Sequence, residues 1–350
     1  MDMDLPFDQL TDYLRVDDYI YDFLAAQALA TALESGLIET LQKTGPATME
    51  SLAVESETEY SGIRILFNVL HTSGVVEIEG NTVWLHKDFL EALRYRELLE
   101  VKLEMARIVN TDILDHFSDY IYDMDEFMAR ARIFDLFNYQ RCYTISDENL
   151  AATAKWLRYT SLLTRYEAPA CLNRFDFSCI NQMLDIGGNS GEFAAKVCEA
   201  NPSIQVTVLD LPVVCELGRQ YISNHPHCRR IHFLAADALH DTIPTGFDLV
   251  TFKSVLHDWP EEAVETLISR ARESLVEGGK VLIFERAYPE EYGQLLGYGN
   301  LPLFLFVRYY RDPHIYVHIL KSQGFEDIVV NIVQLDIPFM LVSARRAKNN

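Results

Sequence analysis

Three carboxylates stand where apolar, strand-like runs give out: Asp185 in "MLDIGGNSG", Asp210 in "VTVLDLP" and Asp237 in "LAADAL". Ligands of open α/β sheets bind beyond the carboxyl ends of the strands, so three such acids in order mark one crevice. The first stands beside a glycine loop, Gly187, Gly188 and Gly191, spaced G-G-x-x-G. Dinucleotide loops use G-x-G-x-x-G to seat a pyrophosphate on backbone N–H groups at a helix N-terminus. A carboxylate two residues ahead of the first glycine would repel that diphosphate. It suits a cofactor that carries positive charge and no phosphate. S-adenosylmethionine fits, with a sulfonium, an ammonium and a phosphate-free adenosine, and glycines would let the backbone approach it closely. Asp210 is placed to accept from both ribose hydroxyls, with Leu211 beside it. Asp237 is placed to accept from the adenine amino group, with the Ala238 N–H for a ring nitrogen. Either acid alone could be an ordinary turn residue, but the ordered set reads as a cofactor site.

The elements that would position these acids alternate from residue 180 onward. "NQMLDI", "IQVTVLD", "IHFLAAD", "FDLVTFKSV" and "KVLIFER" read as strands. "EFAAKVCEA", "PVVCELGRQYI" and "EEAVETLISRARESLVEGG" read as helices, the last with a glycine stop. This alternation predicts a parallel sheet with crossover helices. After a helix at 313–323, "EDIVVNIVQ" and "IPFMLVSARR" have no helix between them and are expected to pair antiparallel. A doubly wound, Rossmann-like sheet with a terminal hairpin is the class I methyltransferase variant. Upstream, residues 18–43 read as helix with Gly36 as a stop, Thr48 as an N-cap, "YSGIRILFNVLHTSG" as helix, and "VVEIEGNTVWLH" as a hairpin turning at Glu79-Gly80-Asn81. That order is a winged-helix pattern. Residues 90–165 are expected to be mostly helical and are rich in aromatics that could wall a pocket for a planar molecule. The expected organisation is therefore a winged-helix dimerisation domain over 1–100, a helical connector lining the pocket over 101–165, and a cofactor domain over 166–350.

At 350 residues the chain has room for two domains. Its composition, 49% hydrophobic and 23% charged, is that of an ordinary globular protein. The formal net charge of -22 repels phosphate backbones, so neither nucleic acid nor anionic membrane is expected as a partner. The helix over 60–72 carries one arginine, Arg64, and the wing carries Glu77 and Glu79, which is poor equipment for reading a major groove. Six cysteines lack any C-x-x-C pair and suit reduced thiols in a cytoplasmic protein. The first ten residues have no basic or apolar leader pattern, and no apolar run approaches the ~20 residues of a membrane span.

At "FDLVTFKSVLHDWPEE" the sequence resembles the small-molecule O-methyltransferases of the caffeate and acetylserotonin type, which include bacterial enzymes that methylate aromatic antibiotics. The matching motifs are "LDIGGNSG", "VLDLP", "AAD" and "FKSVLHDW", and the likeness covers nearly the whole chain. The resemblance implies that Gly187, Asp210, Asp237, Ala238 and Lys253 contact the cofactor. It implies that His257 takes the acceptor's phenolic proton, and that the N-terminal domain forms a homodimer. Imidazole suits that work because it titrates near working pH. The family flanks its histidine with two glutamates. Glu285 in "LIFERAYP" matches the first. Aligned back from Gly324-Phe325, "VRYYRD" supplies Arg311 for the arginine of a "GGKERT"-like stretch and Tyr310 where the second glutamate would be. A tyrosine carries no negative charge near pH 7, though it can hydrogen-bond or set a π-face near a cation. Tyr159, with Tyr166 nearby, falls about where the family often has a methionine beside the transferred methyl.

The expectation is a S-adenosylmethionine-dependent methyltransferase acting on a small, aromatic or amphipathic metabolite, with oxygen favoured by resemblance. Three alternatives stay open. Carbon or nitrogen could be the acceptor, since either asks less of a base. The same fold could use the cofactor in a cyclase or lyase reaction that releases methylthioadenosine. A non-catalytic regulator that binds the cofactor is the third. His257 and Asp258 with His314 or His318 lack diagnostic metal spacing, and no metal is expected.

Overall fold

The computed structural model describes residues 10–20, 22–288, 298, 303, 305–306 and 309–348. The chain divides into two compact units, one of Thr11–Asp135 with Leu296–Leu305, the other of Leu136–Leu295 with Phe306–Asn350 and Met1–Leu10.

The first unit is mainly helical. Its elements are α1 (Phe23–Glu34), α2 (Leu37–Thr44), β1 (Ala47–Thr48), α3 (Met49–Glu55), α4 (Tyr60–Thr72), β2 (Val76–Glu79), β3 (Thr82–Leu85), α5 (Lys87–Ala92), α6 (Arg96–Tyr122), α7 (Met124–Arg130) and α8 (Arg132–Leu136). The single helix expected over 18–43 is broken. Asp12–Tyr19 is a 3-10 helix, Asp22 caps α1 by accepting from Ala25 N–H at 2.8 Å, and Gly36 turns left-handed at φ +75 to start α2. The glycine there restarts the chain in a new direction, which a residue with a Cβ does at a cost. Thr48 caps α3, as its type predicts, by accepting from Ser51 N–H at 3.2 Å. The expected hairpin pairs Val76 with Leu85 and Glu79 with Thr82 around Gly80, and β1 joins its other edge in the order β1-β3-β2.

The second unit is built on seven strands: β4 (Gln182–Ile186), β5 (Gln205–Asp210), β6 (Ile231–Ala235), β7 (Phe247–Lys253), β8 (Leu275–Arg286), β9 (Phe325–Gln334) and β10 (Pro338–Arg346). Their order is β6-β5-β4-β7-β8-β10-β9. The first five are parallel and the last two antiparallel. The helices are α9 (Asp147–Leu172), α10 (Glu192–Ala200), α11 (Pro212–Ile222), α12 (Glu261–Ser274) and α13 (Pro313–Ser322). Neighbouring residues of each inner strand point to opposite faces, and both faces are buried. Met183, Val208, Leu249 and Leu282 pack with Ala168 and Phe193 on one side. Leu184, Val250, Phe252 and Ile283 pack with Ile268 and Tyr316 on the other. This is the expected class I methyltransferase architecture. One boundary differs: α12 ends at Ser274, and "LVEGG" opens β8. Its register against β7 shifts between Phe247 and Leu249, and Gly278, at φ +76, absorbs the irregularity. The glycines that looked like a helix stop belong to this irregular stretch of β8.

Candidate active site

Asp185, at the end of β4, is 1% exposed. Its Oδ1 accepts the Thr251 hydroxyl at 2.6 Å, while Oδ2 is buried with no hydrogen-bond partner. Burial pushes this acid up to about 7, against the pull of the Thr251 bond. The loop after it leaves no room for side chains. A Cβ on Gly188 would lie 2.5 Å from Asp185 Oδ2, and one on Gly187, at φ +68, 2.6 Å from Val255 Cγ2. Gly191, at φ +80, opens α10, and a Cβ there would stand 3.0 Å from Phe233. The first two glycines are thus demanded by the packing of the loop onto the strand ends, before any cofactor is considered.

Asp210 ends β5 and fixes the same loop, its two oxygens accepting from Asn189 N–H at 2.9 Å and Leu211 N–H at 2.7 Å. Burial pushes Asp210 up to about 6. Each oxygen keeps a lone pair for a further donor. Asp237 lies two residues past the end of β6 instead of within it. Oδ1 accepts from Leu239 N–H at 2.8 Å, and Oδ2 meets the Tyr143 hydroxyl at 2.6 Å and His240 Nδ1 at 2.8 Å. Burial works against the charge, but these bonds hold Asp237 below the usual carboxylate range. Ala238 follows directly on this turn. Lys253 ends β7 and faces the cavity that Asp185 and the glycine loop also line. It donates to Thr164 Oγ1 at 2.9 Å and pairs with Glu167, which is 1% exposed. Two of its three donors are spent.

These features fit S-adenosylmethionine. A buried carboxylate oxygen without a partner and an ammonium with a donor to spare face one cavity, as the two charged ends of an amino-acid group require. The acids past β5 and β6 offer acceptors to hydroxyls and an amino group.

His257 sits in a 3-10 turn, Leu256–Asp258, just past β7. Glu285, fully buried on β8, holds that turn: Oε1 accepts from Val255 N–H at 2.6 Å and Leu256 N–H at 2.7 Å, and Oε2 lies 2.7 Å from His257 Nδ1. A carboxylate acting as acceptor three times places the proton on Nδ1 and leaves Nε2 with its lone pair. Nε2 is 3.4 Å from Asp258 Oδ1, and Asp258 Oδ2 accepts from the Tyr139 hydroxyl at 2.8 Å. Burial would pull the imidazole down, but Asp258 and Glu285 beside it raise it. Tyr310 is where the alignment put it, with its ring 5.5 Å from that of His257 at 72°. It is buried, and burial pushes its hydroxyl far above the ordinary range, so it stays neutral. Tyr159, on α9, is 6% exposed. It and Tyr310 both lie within the electrostatic field of Arg286.

The structure therefore gathers the acids, the glycines, Lys253, His257, Glu285 and Tyr310 at one end of one sheet. It adds groups the sequence reading passed over. Glu167 bridges Lys253 and Arg286, and the turn Tyr139–Tyr143 sets a hydroxyl on each of Asp258 and Asp237. A lone glutamate inside the apolar "YEAPAC" was the available signal for Glu167. His314 lies on α13, and among the described residues no three His, Cys, Asp or Glu side chains cluster as metal ligands.

Residues 128–326 match the model of the O-methyltransferase domain. Mitomycin biosynthesis 6-O-methyltransferase of Streptomyces lavendulae is 27% identical over 280 residues, covering 79% of this chain and 78% of that one. A probable bifunctional dTTP/UTP pyrophosphatase/methyltransferase protein of Homo sapiens is 26% identical over 296 residues, and the chain spans 44% of its length. The solved structure of the mitomycin 7-O-methyltransferase MmcR superposes with a TM-score of 0.72 at 22% identity, over 92% of this chain and 94% of that one. The chain belongs to the O-methyltransferase family and carries its S-adenosylmethionine-dependent methyltransferase domain.

Proposed function

We propose that this protein methylates an oxygen on a small aromatic metabolite, with His257 as the proton acceptor. The observation that carries this reading is the Glu285–His257 contact, which leaves Nε2 as the basic nitrogen of the neutral imidazole, in the turn just past the β7 end that carries Lys253. Bound S-adenosylmethionine would supply an electrophilic methyl group on sulfur. Asp185, Gly187, Gly188, Gly191 and Lys253 would hold its amino-acid end, Asp210 and Leu211 its ribose, and Asp237 and Ala238 its adenine. Tyr159 would stand beside the methyl. His257 takes the acceptor's proton on Nε2, and Glu285 and Asp258 stabilise the imidazolium that results. Asp258 thereby supplies the second carboxylate that Tyr310 does not. Proton abstraction of this kind contributes about 10²–10⁴-fold, while alignment of acceptor and methyl can contribute roughly 7–11 kcal/mol. Positioning outweighs the base.

The relatives' printed names, which include mitomycin and acetylserotonin O-methyltransferases, support a small, ring-bearing acceptor. Residues 1–100 are assigned as a winged-helix domain that dimerises, 101–165 as the connector that lines the pocket, and 166–350 as the cofactor domain. The helix and hairpin order of the first unit supports the winged helix. Among the described residues no helix is long and apolar enough to cross a membrane, which is compatible with the cytoplasmic location assigned here.

The test is mass spectrometry of a cell extract treated with the protein and S-adenosylmethionine. S-adenosylhomocysteine together with a product heavier by one CH₂ supports the proposal. Methylthioadenosine as by-product would replace it with the lyase or cyclase reading, which the neutral Tyr310 beside His257 favours as the second choice.

A further inference from the structure

Leu256, immediately before His257, has both of its backbone polar groups fixed by side chains. Its N–H is held by Glu285, and its carbonyl accepts from Arg311 Nη1 at 2.8 Å. The other guanidinium nitrogen, Nη2, reaches the carbonyl of Trp259, on the far side of His257. One planar fork therefore spans the turn that carries His257 and Asp258. The turn needs outside support. It is entered through Ser254, a non-glycine residue at φ +54, a conformation that L side chains adopt at a cost. Within the turn the Leu256 carbonyl accepts only a long bond, from Trp259 N–H at 3.3 Å, and Arg311 adds a shorter, charged donor to it. Arg311 is itself anchored, since its backbone bridges to Ala287, two residues after Glu285. The acceptor clamp and the donor clamp thus sit on adjoining segments.

We propose that Arg311 is a positioning residue for His257. It acts through the Leu256 and Trp259 carbonyls to keep Nδ1 on Glu285 and Nε2 beside Asp258. It does this work in a site where a tyrosine, Tyr310, directly precedes it in place of the family's second glutamate. A lysine is a poor substitute, because a point charge cannot bridge two carbonyls three residues apart as a rigid fork does. The proposal rests on reading His257 as the proton acceptor, and its test reads position independently of turnover.

The experiment is nitrogen NMR of the full-length protein labelled at histidine, with the His257 signals identified by their absence from His257→Gln. At a pH alkaline enough to deprotonate the imidazole, whose pKa Asp258 and Glu285 raise against the pull of burial, the wild type is expected to show one neutral tautomer, protonated on Nδ1. Arg311→Met should lose that single signal and show exchange between tautomers, and Arg311→Lys should fall between the two. Melting curves establish that each variant folds. If Arg311→Met does not fold, Arg311→Lys carries the test alone. A folded Arg311→Met (or, failing it, Arg311→Lys) that keeps the wild-type tautomer, while Glu285→Gln loses it, overturns the proposal. A wild type lacking the Nδ1-protonated form removes the Glu285 contact, and with it the reading of His257 on which both proposals stand.

Discussion

Asp185 is an acid that the fold keeps buried and half paired, and its behaviour with pH follows. Its folded pKa of about 7 stands above the ~4 of a solvated aspartate. For a raised acid, the stabilising contribution is complete below the unfolded value and disappears as pH climbs through the folded one. The cofactor-free protein should therefore lose stability between about pH 4 and pH 7 at this position, and Asp185→Asn should flatten that part of the melting profile. Affinity for the cationic cofactor should run the other way, weakening as pH falls from 8 to 6 and Asp185 takes up its proton. Calorimetry of wild type and Asp185→Asn checks both signs. Asp210 has a different task, since it holds Asn189 and Leu211 by their N–H groups as well as taking the ribose in the proposed site. Asp210→Ala should weaken cofactor binding by about 1.5–3 kcal/mol, the worth of hydrogen bonds to a charged group. Unchanged affinity removes the assignment. His257→Ala should slow methyl transfer at least about tenfold at unchanged cofactor affinity, because it removes a base and no cofactor contact. Wild-type-like rates would leave the imidazole a structural role only.

The glycine loop shows, at the scale of elements, what the sequence could and could not convey. Its position after a strand, and the order of acids down the sheet, were readable because burial on both faces writes continuous apolar runs. So were α10, α11 and the antiparallel ending. The reason for the glycines was not readable, because it lies in Val255 and Asp185 pressing on positions where a Cβ would stand. Gly218, in the middle of α11, was missed altogether. A Cβ there would lie 2.3 Å from Phe233 and 3.0 Å from the Asn189 carbonyl, so this helix packs against the cofactor loop only through a bare backbone. The network of Glu167, Lys253 and Arg286 joins α9 to the ends of two strands far away in sequence, and no local pattern announces it. The start of β8 misled for a similar reason, since "EGG" is written the same way at a helix end and at a register shift. Gly218→Ala should destabilise the fold by about 1–3 kcal/mol, the range for overpacking, and weaken cofactor binding as the loop shifts. Helix propensity alone predicts the opposite, a gain near 1 kcal/mol, so a urea titration separates the two with a clear sign.

The whole molecule carries a net charge of -22, and the ligand assigned to it is a cation. Self-repulsion at that charge lowers the stability of the compact state, and salt relieves it. A cofactor that binds the native state alone adds stability by mass action, about 2.7 kcal/mol at one hundred times its dissociation constant. For a chain of this size each kcal/mol is worth a few degrees, so saturating S-adenosylmethionine should raise the melting temperature by several degrees. NAD at the same concentration should give no shift, because its diphosphate would meet the buried Asp185 carboxylate beside the glycine loop. Repeating both at high salt separates specific binding from charge. General attraction of a cation to an acidic surface fades once the Debye length falls to about 3 Å at 1 M salt, whereas hydrogen bonds to buried carboxylates persist. A cofactor shift that vanishes with salt, or a matching shift from NAD, would place the ligand outside the crevice formed by Asp185, Asp210 and Asp237.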